Sequence, residues 1–106
     1  MVGRIWEVSI DPALAADFET FAGDVALPMV RGKMGCSAVY VLREAGTPGR
    51  YSWIILWLSR KAMLVAASSP DWEEVAQGFS RFGIPFDLDH ARAYESVATF
   101  RAGEKS

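Results

Sequence analysis

The chain has 106 residues, of which 51% are hydrophobic and 23% are charged, and its formal net charge is −2. This length fits one domain, residues 1–106, and the composition is that of a packed globular protein rather than a disordered one. The weak negative charge and the lack of a Lys/Arg cluster argue against nucleic acid and an anionic membrane as partners. The most apolar run, WIILWL, is far shorter than the roughly 20 residues of a membrane-spanning helix.

The chain has a single cysteine, Cys36, and a single histidine, His90. One cysteine cannot form an internal disulfide, and the two residues together are too few for a zinc site. The opening MVGRIWEVSI reaches Asp11-Pro12 before the apolar region of a signal peptide can develop. We therefore expect a protein of the reducing cytoplasm that has no metal and no cofactor.

The first half of the chain predicts a strand, a helix and a second strand. RIWEVSI, residues 4–10, is rich in β-branched and aromatic residues, as strands are. Asp11 and Pro12 then supply an N-cap acceptor and a proline at the first helical position. Apolar residues at spacings of three and four follow as one helical stripe: Leu14, Phe18, Phe21, Ala22 and Val25. Pro28 disturbs this helix and the glycines of RGKMGC end it, before a strand over 37–44.

The second half predicts a hairpin, a broken helix and a last strand. The turn residues of AGTPGR join the strand over 37–44 to the next one. The predicted elements are a strand over 51–59, a helix capped by Ser59 and running to about Ala67, a helix from Ser69-Pro70 to Gly83, a strand over 90–101 and a frayed tail over 102–106. The order β-α-β-β-α-β is that of a ferredoxin-like α+β fold, with helices on one face of an antiparallel sheet.

The strand over 51–59 is apolar on both of its faces. One face carries Tyr51, Trp53, Ile55 and Trp57, and the other carries Ile54, Leu56 and Leu58. Helices can cover only one of these faces. We therefore predict that the open sheet face meets a second copy of the chain and that the protein is a homodimer.

Short motifs in this layout resemble the antibiotic-biosynthesis-monooxygenase-like group of the dimeric α/β-barrel superfamily. The group's pattern runs roughly Trp-x-Ser-x-x-Ala-Leu, then a His, then Ser-Pro-His-Phe. The matching positions are Trp57, Ser59, Ala62, Met63, Ser69, Pro70 and Trp72, and Met34-Gly35-Cys36 resembles the group's Pro-Gly-Cys entry to strand 2. The resemblance covers nearly the whole chain and implies a ferredoxin-like subunit that dimerises into an α/β barrel.

The resemblance also implies a function, which the departures from the pattern weaken. Members include cofactor-independent oxygenases of aromatic polyketides, isomerase-like proteins and proteins without assigned activity. The group's two frequent histidines fall on Ala66 and Asp71 here. The similar haem-degrading branch has a Trp at Ala66, a haem-ligating His near Ala76 and an Asn on strand 1, none of which this chain has. Haem degradation by that route is not expected.

A small apolar or aromatic molecule is the ligand that the sequence favours, bound in a pocket between the sheet and the helices. An aromatic wall suits a flat conjugated substrate by offset stacking. The candidate substrate-binding residues are Tyr51, Trp53, Trp57, Tyr40 if the strand register allows it, Met29 and Met34. The candidate polar or catalytic residues are His90, as a general base or donor, Tyr94, as a phenolic donor, and Arg92, as an anion ligand.

Each of these candidates has a purely structural alternative. The tryptophans and Tyr51 fit a core or a dimer interface, and Trp57 in particular lies where a helix must pack. His90 fits a solvated strand start beside acidic residues. Arg43 and Arg92 fit ion pairs with Glu44 and Glu95, and Cys36 fits a buried inert thiol. The same fold without catalysis, as a ligand-binding or interaction dimer, is the alternative function.

Overall fold

A computed structural model describes residues 1–84 and 92–100 of the chain. The strands are β1 (Val2–Ser9), β2 (Cys36–Arg43), β3 (Arg50–Trp57) and β4 (Arg92–Glu95). The α-helices are α1 (Ala15–Phe21), α2 (Leu27–Arg31), α3 (Arg60–Ala67) and α4 (Trp72–Arg81). The sheet order is β2-β3-β1-β4 with every neighbouring pair antiparallel, which confirms the predicted ferredoxin-like fold.

The predicted first helix is in fact four short segments in series. A 3-10 turn over Pro12–Leu14 precedes α1, and a π-helical turn over Ala22–Ala26 separates α1 from α2. The Asp11 carboxylate accepts from the Ala13 N–H at 3.0 Å, which confirms the predicted N-cap. Pro28 has no N–H to donate to the carbonyl four residues back, and the wider π turn ends two residues before it, at Ala26.

Most predicted boundaries lie within two residues of the observed ones. β3 ends at Trp57 rather than at residue 59, because Ser59 is the N-cap of α3 and accepts from the Ala62 N–H at 3.0 Å. The last strand is the exception, since it ends at Glu95 where the sequence predicts a strand to residue 101. Residues 90, 91 and 101 of that prediction, and the frayed tail, lie outside the described part of the chain.

The strand register assigns every side chain to one of two sheet faces. Tyr51, Trp53, Ile55 and Trp57 alternate along β3 and are all buried beneath the helices. On β1, which pairs with β3, the same face carries Val2, Arg4, Trp6 and Val8. The helices and this face together bury two apolar clusters, one around Phe18, Trp53 and Phe79 and the other around Trp57, Met63 and Trp72.

The opposite sheet face is largely apolar, and no helix within residues 1–84 and 92–100 covers it. It carries Ile5 of β1, Ile54 and Leu56 of β3, and Tyr40 and Leu42 of β2. Tyr40 and Leu42 are each about half exposed, at 51% and 49%. This is the face that the sequence assigns to a second copy of the chain.

Candidate functional site

The aromatic residues of β3 divide into a tightly packed group and a residue beside a void. The Trp53 ring lies 5.2 Å from that of Phe79 and 6.2 Å from that of Phe18, and the Tyr51 ring lies 4.8 Å from that of Phe18. These distances are those of rings in edge or tilted contact, with no room for a stacked ligand between them. Trp53 and Tyr51 are therefore core residues, which is the structural alternative that the sequence offers.

A small cavity lies at the other end of the helix-covered face. Its volume is about 10 Å³. The lining residues are Arg4, Ile55, Trp57, Met63, Ala67 and Trp72. A space of this size accommodates about one water-sized group.

Within residues 1–84 and 92–100, two of the lining residues carry buried N–H groups that have no hydrogen-bond partner, namely Nε of Arg4 and Nε1 of Trp57. Nε1 of Trp53, in the packed group, is in the same condition. Arg4 lies opposite Ile55 in the β1–β3 register, so Trp57 is its diagonal neighbour, within reach of a long side chain. Both groups are donors only, so the lining favours an occupant that offers an acceptor oxygen.

The second aromatic residue that lines the cavity, Trp72, is held in place by its neighbours. Its Nε1 donates to the Ala66 carbonyl oxygen at 2.6 Å. The Nζ of Lys33 lies 5.0 Å from the Trp72 ring centroid, and it also contacts Ser69 Oγ at 3.0 Å and Asp71 Oδ2 at 3.2 Å. The Lys33 side chain is only 7% exposed. Through these contacts the segment that follows α2 packs against the turn before α4.

Asp71, one of the two positions at which the resembling group frequently has a histidine, therefore has a structural role here. Asp71 forms an ion pair with Lys33 and is itself largely exposed. Ala66, the other such position, is buried against Trp57 and Met63. Neither residue offers a proton acceptor to the cavity.

A second polar group lies near the opposite end of β3. The Tyr51 hydroxyl donates to Glu19 Oε2 at 2.8 Å, and Arg43 Nη1 contacts the same oxygen at 3.2 Å. Burial, and then the bond to Glu19, raise the pKa of Tyr51 to about 12. Tyr51 is therefore a protonated phenol at neutral pH. An open groove of about 210 Å³ runs beside it and includes Gly23 and Leu27.

The register separates several predicted site residues from the aromatic ones. Tyr40 lies opposite Ile54, so the prediction that it joins Tyr51 and Trp53 is wrong. Arg92 and Tyr94 lie opposite Ile5 and Gly3, on the open sheet face. The sheet therefore stands between these two polar candidates and the cavity, and any role for them belongs to the open face.

The remaining candidates also differ from the prediction in their surroundings. Met34 is 93% exposed, whereas Met29 is half-buried and packs against both apolar clusters. His90 lies outside the described residues. Arg43 pairs with Glu19 rather than with Glu44.

Cys36 is a free thiol at the start of β2. Burial raises its pKa, as expected for an unreactive cysteine.

Sequence reasoning missed Arg4, the one charged residue on the buried face of β1. The sequence does indicate the position of Arg4, because alternate residues of a strand lie on the same face and Arg4 alternates with Trp6 and Val8 in RIWEVSI. A basic residue at an inward position of a strand marks a site more specifically than an aromatic residue does, because its burial is costly.

The described residues form neither a metal-binding cluster nor a membrane-spanning helix. Within residues 1–84 and 92–100, no three His, Cys, Asp or Glu side chains come together as metal ligands. The helices in the same ranges are all too short or too polar to span a bilayer.

The fold is shared with a group of solved proteins. A provisionally named antibiotic biosynthesis monooxygenase from Deinococcus radiodurans superposes with a TM-score of 0.78 at 20% identity, over 95% of this chain and 97% of that one. HapK from Hahella chejuensis superposes with a TM-score of 0.75 at 21% identity, over 98% and 100%. SnoaB from Streptomyces nogalater, a cofactor-independent oxygenase, gives 0.71 at 16% identity, over 92% and 94%.

No protein-family profile and no curated protein sequence matches the chain. At these identities the structural likeness establishes the fold, and the chain has the antibiotic-biosynthesis-monooxygenase fold over nearly its full length.

Proposed function

We propose that the protein is a homodimeric oxygenase that oxidises a small aromatic or quinol-like compound with dioxygen and no cofactor. The observation that supports this most directly is the cavity between sheet and helices, bounded by Trp57 and Trp72 and supplied with donor groups. The fold that the chain shares with the cofactor-independent oxygenase SnoaB also favours it. The free thiol of Cys36 fits the reducing cytoplasm as its setting.

The chemistry asks little of the protein beyond a dry site that favours an anion. For an anthrone, the methylene carbon loses a proton to solvent, and the resulting enolate passes one electron to dioxygen. The two radicals combine into a peroxide, which loses water to leave a carbonyl. One oxygen atom enters the product and the other leaves as water, so the substrate supplies all four electrons. Arg4 and Trp57 would favour the enolate by hydrogen bonding to its oxygen.

Oxygen uptake with a panel of anthrones and quinols tests this proposal. Solutions of wild-type protein are expected to consume oxygen faster than buffer alone. Arg4→Met is expected to lower that rate at least about tenfold, because it removes one charge-assisted hydrogen bond to the anion. Arg31→Met, a change at an exposed arginine on α2, is the control and should retain the rate. Uptake at the buffer rate for every compound would contradict the oxygenase proposal.

Dimerisation through the open sheet face is the second part of the proposal. The face is lined by Ile5, Tyr40, Leu42, Ile54 and Leu56, a contiguous apolar set across three strands. Large apolar surfaces of this kind are typical of protein interfaces.

Light scattering of two matched variants tests the dimer. Leu56→Asp, on the open face, is expected to give folded monomer, whereas Ile55→Asp, on the buried face, is expected to prevent folding. A folded wild-type monomer, or a dimeric Leu56→Asp variant, would contradict the open-face interface.

A non-catalytic ligand-binding dimer is the second candidate function. The observation that favours it is the cavity lining as the described residues form it, in which the polar residue is an arginine and no carboxylate or histidine takes part. A site with donors alone binds an anion but has no base to create one. Native mass spectrometry distinguishes the two functions: a co-purified small molecule at one per subunit without turnover favours binding, and an empty dimer with oxygen uptake favours the oxygenase.

A further inference from the structure

The open groove beside Tyr51 has a cluster of three polar groups in its lining. These groups are the Tyr51 hydroxyl, the Glu19 carboxylate and the Arg43 guanidinium. Glu19 Oε2 accepts from the Tyr51 hydroxyl at 2.8 Å, and Arg43 Nη1 lies 3.3 and 3.2 Å from Oε1 and Oε2 of Glu19. We call this feature the Tyr51 groove. It adjoins the end of β3 opposite to the one at the cavity.

The polar cluster of the Tyr51 groove has no net charge. Glu19 and Arg43 form an ion pair, and the pKa of Tyr51, raised to about 12, keeps its hydroxyl protonated at neutral pH. A charged ligand would meet a like charge as well as an opposite one, so its own charge would gain little attraction. It would still lose part of its hydration on binding. The cluster therefore favours an uncharged ligand.

The ion pair retains both a donor and an acceptor for such a ligand. Among residues 1–84 and 92–100, the hydrogen bonds of Arg43 use only Nη1, which leaves Nε and Nη2 as donors. Glu19 Oε1 accepts only the longer bond, of 3.3 Å, so it has lone-pair capacity to spare. The two side chains are 63% and 43% exposed, so a ligand can reach both. A primary amide matches this pair, because its carbonyl oxygen accepts and its amino group donates.

Gly23 keeps the apolar part of the groove open. It lies in the π-helical turn Ala22–Ala26 without a positive φ, so its backbone conformation does not require glycine. A Cβ at this position would meet nothing within 4 Å in the described part of the chain, so packing does not require glycine either. Glycine within a helix nevertheless costs stability relative to alanine. What it provides here is free space beside Leu27 and Val41, which also line the groove.

We propose that the Tyr51 groove binds a small uncharged compound with an aliphatic body and an amide head group, which Glu19 and Arg43 recognise together. Tyr51 is a positioning residue, since its bond to Oε2 holds the carboxylate and leaves Oε1 for the ligand. The volume of about 210 Å³ is below the roughly 300–1,000 Å³ of typical small-molecule sites, so the ligand is correspondingly small. None of these residues lines the cavity beside Trp57, and the inference does not depend on the proposed function.

Titration of ¹⁵N-labelled protein with isovaleramide, followed by NMR, tests the proposal. Isovalerate and isoamylamine are the matched compounds, because they carry the same branched body on an anionic and a cationic head group. Isovaleramide is expected to shift the backbone amide signals of Gly23 and Val41 saturably, with a Kd of about 1–10 mM, as for other compounds of this size. The two charged compounds are expected to bind at least about fivefold more weakly.

Two charge variants should redirect this preference. Glu19→Gln leaves the Arg43 guanidinium without its counter-charge, so isovalerate should become the tightest of the three ligands. Arg43→Gln leaves the Glu19 carboxylate without its counter-charge, so isoamylamine should become the tightest. The ratio of the Kd for the favoured charged compound to that for the amide should fall at least about tenfold in each variant. Apolar contact alone would give no such exchange.

A third variant tests the position of the ligand. Gly23→Leu fills the groove and should weaken the binding of isovaleramide at least about tenfold. Ala16→Leu, at an exposed position of α1 outside the groove, is the matched control and should bind as wild type does. The dispersion of the NMR signals shows whether each variant is folded, and the charge variants test the proposal independently of Gly23→Leu.

The proposal would be overturned by the absence of saturable shifts in wild-type protein or by equal affinities for the three compounds. An unchanged preference in both charge variants, or undiminished binding by folded Gly23→Leu, would also overturn it. The titration needs neither dioxygen nor turnover. Its failure would leave the oxygenase proposal intact, and a lack of oxygen uptake would leave this site intact.

Discussion

The two apolar clusters beneath the helices use the same kind of residue in different ways. In the first cluster, Trp53 is surrounded by the rings of Phe18 and Phe79 at centroid distances of 6.2 and 5.2 Å. In the second, Trp57 is just as deeply buried but lies beside a cavity together with a charged residue, Arg4. Aromatic burial alone therefore does not distinguish a core from a site. The imperfect packing and the unpaired charge do.

The largest expected effect is a loss of stability when an aromatic ring is removed from the first, tightly packed cluster. Trp53→Ala is expected to lower the free energy of unfolding by about 3–5 kcal/mol, because the ring is buried on every side and its neighbours cannot close the space. Trp57→Phe, in the other cluster, retains most of the apolar contact and is expected to cost less than about 1.5 kcal/mol. Urea denaturation of both variants measures this difference.

A comparable loss in the two variants would mean that the second cluster is packed as tightly as the first. The cavity would then have no consequence for stability, and the distinction between the clusters would fail.

The hydrogen bond from Tyr51 to Glu19, at the edge of the first cluster, predicts that the free energy of unfolding falls at high pH. The pKa of Tyr51 is about 12 in the folded protein, above its ordinary value of 10.0. Below pH 10 the hydroxyl is protonated in both states, so its contribution to stability is fully present. Between pH 10 and 12 the unfolded chain loses this proton while the folded one retains it. Folding should therefore lose stability across this range through Tyr51, by less than the roughly 2–3 kcal/mol of a fully buried group, because solvent screens the partly exposed hydroxyl.

Tyr51→Phe is the control for this effect, because it retains the ring and removes the titrating group. Urea midpoints measured from pH 9 to 12 should fall less steeply for the variant than for wild-type protein. Parallel curves would show that Glu19 and burial do not hold the proton on Tyr51.

The smallest expected effect lies in the second cluster and has the opposite sign. Arg4→Met removes an unpaired buried donor and its charge from the cavity, so it is expected to stabilise the empty protein by about 1 kcal/mol. Arg31→Met, at an exposed position, should change the free energy of unfolding by less than about 0.5 kcal/mol. Thermal unfolding in ligand-free buffer is the measurement. A destabilised Arg4→Met variant would mean that the guanidinium has a structural partner.

The sequence predicts the fold well because the relevant signals are local. The N-cap at Asp11, the cap at Ser59 and the alternation along β3 are each determined by a few neighbouring residues, and the structure confirms all three. The π turn before Pro28 was not predicted, since an apolar stripe does not distinguish one helical segment from several.

The candidate site depends on contacts between distant parts of the chain, and for this reason the sequence predicts it poorly. Tyr40 was placed with the aromatic wall only on condition of a register that the β2–β3 pairing does not have. Arg4 becomes a cavity residue because β1 lies beside β3, which residues 4–10 alone do not reveal. Lys33 is buried by residues 36 to 39 positions later in the chain, Ser69 and Trp72 among them.

The central claim is that Arg4 and Trp57 receive the oxygen of a ligand, and a crystal structure of the protein with 4-nitrophenolate tests it most directly. We expect the phenolate oxygen in the cavity, about 2.7–3.2 Å from both Arg4 Nε and Trp57 Nε1. A ring bound elsewhere, or a cavity in which both donors contact protein acceptors or only water, would contradict it.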